Sequence, residues 1–206
     1  MIDEALLLLQ SEVASYLSLK GYKAEEVIID NIGLFETSNG TSLTNSIVIT
    51  LVNIEEESAL KNQPAVKRFS AQNAIYENTP VYLNLYVLIT CNYTPDPDKM
   101  KGYISALKRL SLIIQFLQGK NSFSYASSTS GTVTTDVDLL NLRFTLELYT
   151  LTFEQINHLW GSLGGRQVPF AMYKLRLIGI TDRKPLREVP LIEEIDTTII
   201  KISERN

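Results

Sequence analysis

The 206-residue sequence is poor in the side chains that carry covalent and metal chemistry: it holds one cysteine, Cys91, and one histidine, His158. A single cysteine excludes an intramolecular disulfide. Its place in an apolar, strand-like run makes it a small buried hydrophobe rather than a reactive thiol. A single imidazole leaves no histidine cluster for a metal and makes a Ser-His-Asp triad hard to build. No run of ~18 apolar residues occurs, so no transmembrane helix is expected. The chain opens with Asp3 and Glu4 rather than a basic region, and a secretory leader is not expected. Neither GxxxxGKS nor GxGxxG is present, and the glycines at 161, 164 and 165 do not follow a strand into a phosphate-binding turn. Positive charge is also scarce, with 19 Lys and Arg against 23 Asp and Glu and a formal net charge of −4. Lys67-Arg68 and Arg183-Lys184 are too few, and lack interleaved aromatics, for a nucleic-acid surface. Glu55, Glu56 and Glu57 are three adjacent carboxylates, but on an extended chain they point to alternate sides. They fit a solvated or ion-paired run better than a cation site. The expectation is therefore a protein with no catalytic residues, no cofactor, no metal, no nucleic-acid partner and no direct membrane insertion.

What is present is the material of a packed core. Hydrophobic residues make up 45% of the chain. At this length the sequence reads as one domain over residues 1–180 with an appendage over 181–206. Residues 3–20 read as a helix, with Asp3 as a candidate N-cap and Gly21 as its stop. Its run Leu6 to Leu9 suits either deep packing on a sheet or contact with a neighbouring subunit. Short strands are expected at 27–29 and 32–35, and a central β-branched strand at 46–54. Residues 55–79 read as a long irregular connection. Connections of that length in compact domains are often functional, so Glu55, Glu56, Glu57, Lys61, Lys67 and Arg68 are candidate interface residues, against the alternative of an ordinary solvated loop.

Residues 81–93 read as a long strand with one apolar face and one mixed face carrying Tyr82 and Tyr86. A helix is expected from Pro97 to Gln118, apolar nearly all round and so buried on two sides, by the core and by a subunit interface. Further strands are expected at 121–126, 140–151 and 171–180. The tail from Thr181 is charged, carries Pro185 and Pro190, and then offers a β-prone stretch at 195–202. It suits either an arm that adds to another sheet edge, with Arg183 and Lys184 as candidate contacts, or a last strand of its own sheet.

The most informative stretch is residues 149–165, YTLTFEQINHLWGSLGG, which holds the only Trp and the only His. Thr152 and Gln155 have the capping-box spacing. Phe153, Ile156, Leu159, Trp160 and Leu163 recur at helical spacing, and Gly164-Gly165 closes the helix. Trp160 is expected to be buried, and His158 to pack or cap rather than to act as a base.

This stretch, with Pro169 and the strand near Met172-Tyr173-Lys174, resembles the tail-terminator or cap proteins of contractile injection systems, phage-tail-like particles. The acidic Ile54-Glu55-Glu56-Glu57 with Leu83 to Leu88, and residues 103–117 with Phe123, are similar to the same family. Thr152, Phe153, Gln155, His158, Trp160, Gly161, Gly164 and Gly165 are its signature residues here. The resemblance implies an α/β sandwich, a mixed or antiparallel sheet with helices packed on it, assembled as a homo-hexameric ring. It implies a structural cap, not an enzyme, that ends the inner tube and contacts the last sheath ring. Its partners would be itself, the tube protein and the sheath protein. It would be assembled in the cytoplasm, within a particle released from the cell or anchored at the membrane. Alternatives are an assembly chaperone or adaptor of the same particle, or a small enzyme without a recognisable motif.

Overall fold

The structure, a computed structural model, describes residues 1–34, 43–60, 66–68, 73–93, 102–128, 140–180 and 185–190. The chain divides into two compact units, Met1–Ser58 with Val81–Ile180, and Ala59–Pro80 with Thr181–Asn206.

The larger unit is built on a six-stranded sheet. Its strands are β1 (Val27–Ile29), β2 (Ser46–Glu56), β5 (Val81–Asn92), β6 (Ser122–Ser124), β7 (Arg143–Leu148) and β8 (Phe170–Ile180), in the spatial order β1-β2-β5-β8-β7-β6. β1 runs parallel to β2 and every other pair is antiparallel, so the sheet is mixed. The alternation of β5 decides the layers. Leu85, Val87, Ile89 and Cys91 meet helices α1 (Ile2–Leu19) and α2 (Gly102–Gly119) in the larger core. Leu88, with Val48 of β2 and Met172 of β8, faces the other way and meets helix α3 (Phe153–Ser162) in a second core. Both faces of the central strands are covered, as β-branched and apolar runs require.

Two β-bulges set which side chains reach which face. The irregularity between Leu51 and Asn53 in β2 shifts the alternation by one, because a bulge sets two residues opposite one. Asn53, Glu55 and Glu57 thereby join the α3 side of the sheet, and Ile54 and Glu56 take the α1/α2 side. A second irregularity, between Leu83 and Leu85 opposite β8, returns Ile178 to the larger core, where it is fully buried. Unbroken alternation over residues 171–180 would instead put Ile178 on the face of Lys174 and Arg176.

α1 starts at Ile2 with Met1 as its cap, so Asp3 lies in the first turn and is not the N-cap. Gly21, at φ 85°, turns the chain out of the helix. Leu6, Leu8 and Leu9 are buried and Leu7 is half exposed, so the leucine run mostly packs on the sheet. Residues 32–34 form a 3-10 turn instead of a strand. The strand expected over 140–151 is shorter, Arg143–Leu148, and Leu148 at its end stays exposed. On α2 the buried stripe is Ala106, Leu110, Ile113 and Leu117, while Tyr103, Ile104 and Leu107 remain on the surface.

The smaller unit contains a three-stranded antiparallel sheet, β3 (Val66–Arg68), β4 (Asn73–Glu77) and β9 (Pro185–Pro190), in the order β3-β4-β9. The connection expected to be irregular, with a helical turn near residues 71–75, therefore contains two strands. Prolines at both ends of β9 suit an edge strand, where a missing N–H disturbs no central ladder. The strand expected at 195–202 and the helix start at Pro97 lie outside the described residues.

Candidate functional site

α3 begins as its sequence dictates. Thr152 Oγ1 accepts from the Gln155 N–H at 3.3 Å, and Gln155 Oε1 accepts from the Thr152 N–H at 2.9 Å, a complete capping box. Gly164 and Gly165 have φ of 99° and 78°, and the Gly165 N–H donates to the Trp160 carbonyl at 2.6 Å. A side chain at either glycine would be strained by the backbone alone. Gly161 is different: a Cβ there would meet nothing within 4 Å, so packing does not require glycine at that position.

Trp160 is 4% exposed and meets Phe170 edge-on at 5.4 Å between ring centroids. It sits among Ile32, Leu43, Val48, Leu88 and Met172, and so ties α3 to the sheet. Two other signature residues differ from expectation. His158, expected to pack or cap, is exposed on α3. Phe153 is 88% exposed. At 100° per residue its direction lies about 70° from the mean of Ile156, Leu159, Trp160 and Leu163. It stands at the margin of the apolar stripe, in the first turn, and clears the sheet.

The acidic run meets a matched set of partners on the α3 side of the sheet. The Tyr86 hydroxyl donates to Glu55 Oε2 at 2.6 Å, and Lys174 Nζ lies 3.9 Å from the same oxygen and 5.3 Å from the Tyr86 ring centroid. Asn84 Nδ2 donates to Glu57 Oε2 at 2.9 Å. Arg176 reaches Glu57 at 3.7 Å and Glu147 at 3.2 Å. Three carboxylates and two cations thus alternate across β2, β8 and β7. The hydrogen bond to Glu55 and burial together hold the Tyr86 phenol above its ordinary value. Beside this lattice is a cleft of about 310 Å3, lined by residues that include Asn53, Glu55, Tyr86, Tyr149, Leu151 and Met172.

Glu56 points to the opposite side of β2, as the extended-chain argument requires. Lys67 and Arg68 lie in β3 of the smaller unit, and Lys61, Arg183 and Lys184 lie outside the described residues. Within the larger unit the structure therefore brings Glu55 and Glu57 to one side of the sheet and Glu56 to the other. Among the described residues no group of three His, Cys, Asp or Glu is placed to hold a metal, and no helix is long and apolar enough to cross a membrane. The carboxylates here are engaged by cations and donors, an arrangement for holding a surface in shape.

Two further polar groups lie on the α1/α2 side of the sheet, and the first carried no local signal. Arg109 of α2 lies between the rings of Tyr22 and Tyr93, at 4.5 and 4.2 Å from their centroids, and donates to Glu26 at 2.9 Å. The Tyr93 hydroxyl donates to the same carboxylate at 2.6 Å. Glu12 is 3% exposed and receives Lys120 Nζ at 2.7 Å. A glutamate between Leu9 and Val13 on a buried helix face was a sign that a cation must reach it.

Taken together, the fold and site define a mixed α/β protein with a two-sided sheet, a capped surface helix and a charge-paired outer face, without a constellation for catalysis among the described residues. The chain belongs to the Pvc16 N-terminal domain family, which it matches over residues 6–194. No curated protein matches it. Its fold is similar to that of a sheath/tube terminator, in the extended state, of PVC, an extracellular contractile injection system, at a TM-score of 0.60 and 12% identity, covering 100% of this chain and 65% of that one. It is also similar to the tube-terminating cap of the anti-feeding prophage, at a TM-score of 0.51 and 16% identity, covering 75% of this chain and 49% of that one. The chain thus spans less than two thirds of the length of either.

Proposed function

We propose that this chain is a structural cap that ends the inner tube of a contractile injection particle and contacts its last sheath ring. The observation that carries the reading is the correspondence of the whole chain with a sheath/tube terminator fold, beside its membership of the Pvc16 N-terminal domain family. The physics of the role fits a protein without catalytic chemistry. A tube grows because each ring presents the next with a fresh copy of one surface. A terminator must match that surface on one side and withhold it on the other. A homo-hexameric ring satisfies this, with one heterologous contact repeated around the tube axis. The ion-paired lattice of Glu55, Glu57, Glu147, Lys174 and Arg176 is a candidate contact surface for tube or sheath. The protein would be assembled in the cytoplasm and travel with the particle.

Electron micrographs of particles made without this protein test the reading. Tubes of uncontrolled length or unstable sheaths are expected. Particles of normal, uniform length would overturn it. Absence of the chain from purified wild-type particles would assign it to assembly, as a chaperone or adaptor, and not to the finished structure.

A further inference from the structure

One aromatic side chain is placed against expectation. Phe153 is 88% exposed, more than any other large apolar residue described, at the first position of a helix whose start is locked by reciprocal hydrogen bonds. The backbone that carries this ring is fixed before any partner arrives, which lowers the entropy lost on docking. Its neighbour Glu154 is also exposed.

On the opposite face of the sheet, α2 leaves an open groove of about 450 Å3. Tyr22, Ile104, Leu107 and Leu112 supply its apolar lining and Lys108 stands exposed along it. Ile104 is 52% and Leu107 40% exposed, beside the buried stripe of Ala106, Leu110, Ile113 and Leu117 on the same helix. The two features match in chemistry: a benzyl group beside a carboxylate, and an apolar groove beside an ammonium. They also lie on opposite faces of one sheet, α3 against one and α2 against the other. A single copy therefore cannot join them. A contact between two different patches is heterologous, and its repetition closes a ring when the rotation it imposes divides a full turn.

We propose that Phe153 of one copy docks in the α2 groove of the next, with Glu154 of the first facing Lys108 of the second. The inference rests on the ring reading above and names the contact that makes the ring.

The test is self-association of the full chain, followed by sedimentation velocity over a concentration series. Phe153→Ser, at a solvated position, should leave the melting temperature unchanged and weaken association on the order of tenfold to a hundredfold, as loss of an aromatic anchor does. Glu154→Lys and Lys108→Glu should each weaken association, and the double variant should regain most of it. A wild-type chain that stays monomeric throughout overturns the inference, as does a Phe153→Ser chain that assembles normally or a double variant no better than the singles. Tube lengths in particles carrying Phe153→Ser separate the two readings. Normal rings that fail to cap would place the aromatic on the tube or sheath, which overturns the contact and leaves the cap. Normal lengths from a chain that no longer self-associates would support the contact and count against a ring as the capping form.

Discussion

Trp160 links the helix most specific to this sequence with the sheet beneath it, and its indole contributes area without contributing a hydrogen bond. Its Nε1 is buried with no hydrogen-bond partner among the described residues, so the N–H carries a desolvation cost that none of them offsets. Truncation to alanine is expected to cost ~3–5 kcal/mol through lost packing and the cavity left behind. Trp160→Phe should cost less than half as much, because no hydrogen bond is lost with the nitrogen. Urea unfolding followed by far-ultraviolet circular dichroism measures both, and a phenylalanine variant as unstable as the alanine one would show that the N–H is bonded after all. Buried acids of high pKa add a second expectation. Burial pushes the Cys91 thiol from 9.0 and the Tyr173 phenol from 10.0 up to about 12 in each case. Tyr93 is raised as well, by burial and then by its bond to Glu26. Each group holds its proton more tightly folded than unfolded. The stability it contributes is complete below its unfolded value and is lost as pH rises from there through the folded value. Melting temperatures should therefore fall from about pH 9 towards pH 12, with Cys91→Ala flattening the first part of the decline. A flat profile for the wild type across that range would contradict the burial of these groups.

At the scale of elements, what was legible in the sequence was whatever is decided within a few residues. The capping box of α3 is an example: Thr152 and Gln155 stand three apart, and the bonds they make follow from that spacing. Thr152→Ala should cost about 1 kcal/mol, read from the shift in denaturation midpoint, since one helix-end N–H loses its acceptor. The alternation of β5 was equally readable, and so were the glycine closures at Gly21 and Gly164. Elements decided by distant partners were not. The bulges in β2 and β8 reverse the faces of Glu55, Glu57 and Ile178, and nothing in the local pattern marks where an extra residue will enter a ladder. Arg109 and Glu26 are 83 residues apart, and neither residue's neighbours point to the other. Phe153 was misplaced for a geometric reason: a residue at the margin of an apolar stripe is buried or not according to how far the sheet extends beneath it. Of the acidic run, the alternation of side chains was predictable, while the tyrosine, lysine and arginine that engage it came from other strands.

At the scale of the whole molecule, the long connection after β2 and the tail after β8 belong to one body. β4 of the connection is the middle strand of the small sheet, flanked by β3 on one side and β9 of the tail on the other. The sequence had assigned residues 59–80 to the first domain and 181–206 to a separate arm; in the structure they group together. We propose that this small unit adds a further contact with a neighbour in the particle, since a three-stranded sheet of short strands offers edges to which another strand can add. Removing residues 181–206 then has a divided outcome. The larger unit keeps the six strands of its sheet, both its cores and helices α1, α2 and α3, so its thermal transition should move by little. The remaining β3-β4 pair is a two-stranded hairpin, which is marginal in water, and should open. Limited proteolysis should cut the truncated chain within residues 59–80 while the rest of it resists, and cleavage in the full chain should be slower. Co-sedimentation of the truncated chain with particles reads the other half of the proposal, with binding expected to fall. A truncated chain that fails to fold would make β9 part of what holds the larger unit together. One that folds, resists cleavage over 59–80 and still caps tubes would remove the small unit from the attachment and leave the ion-paired face of β2 and β8 as the contact.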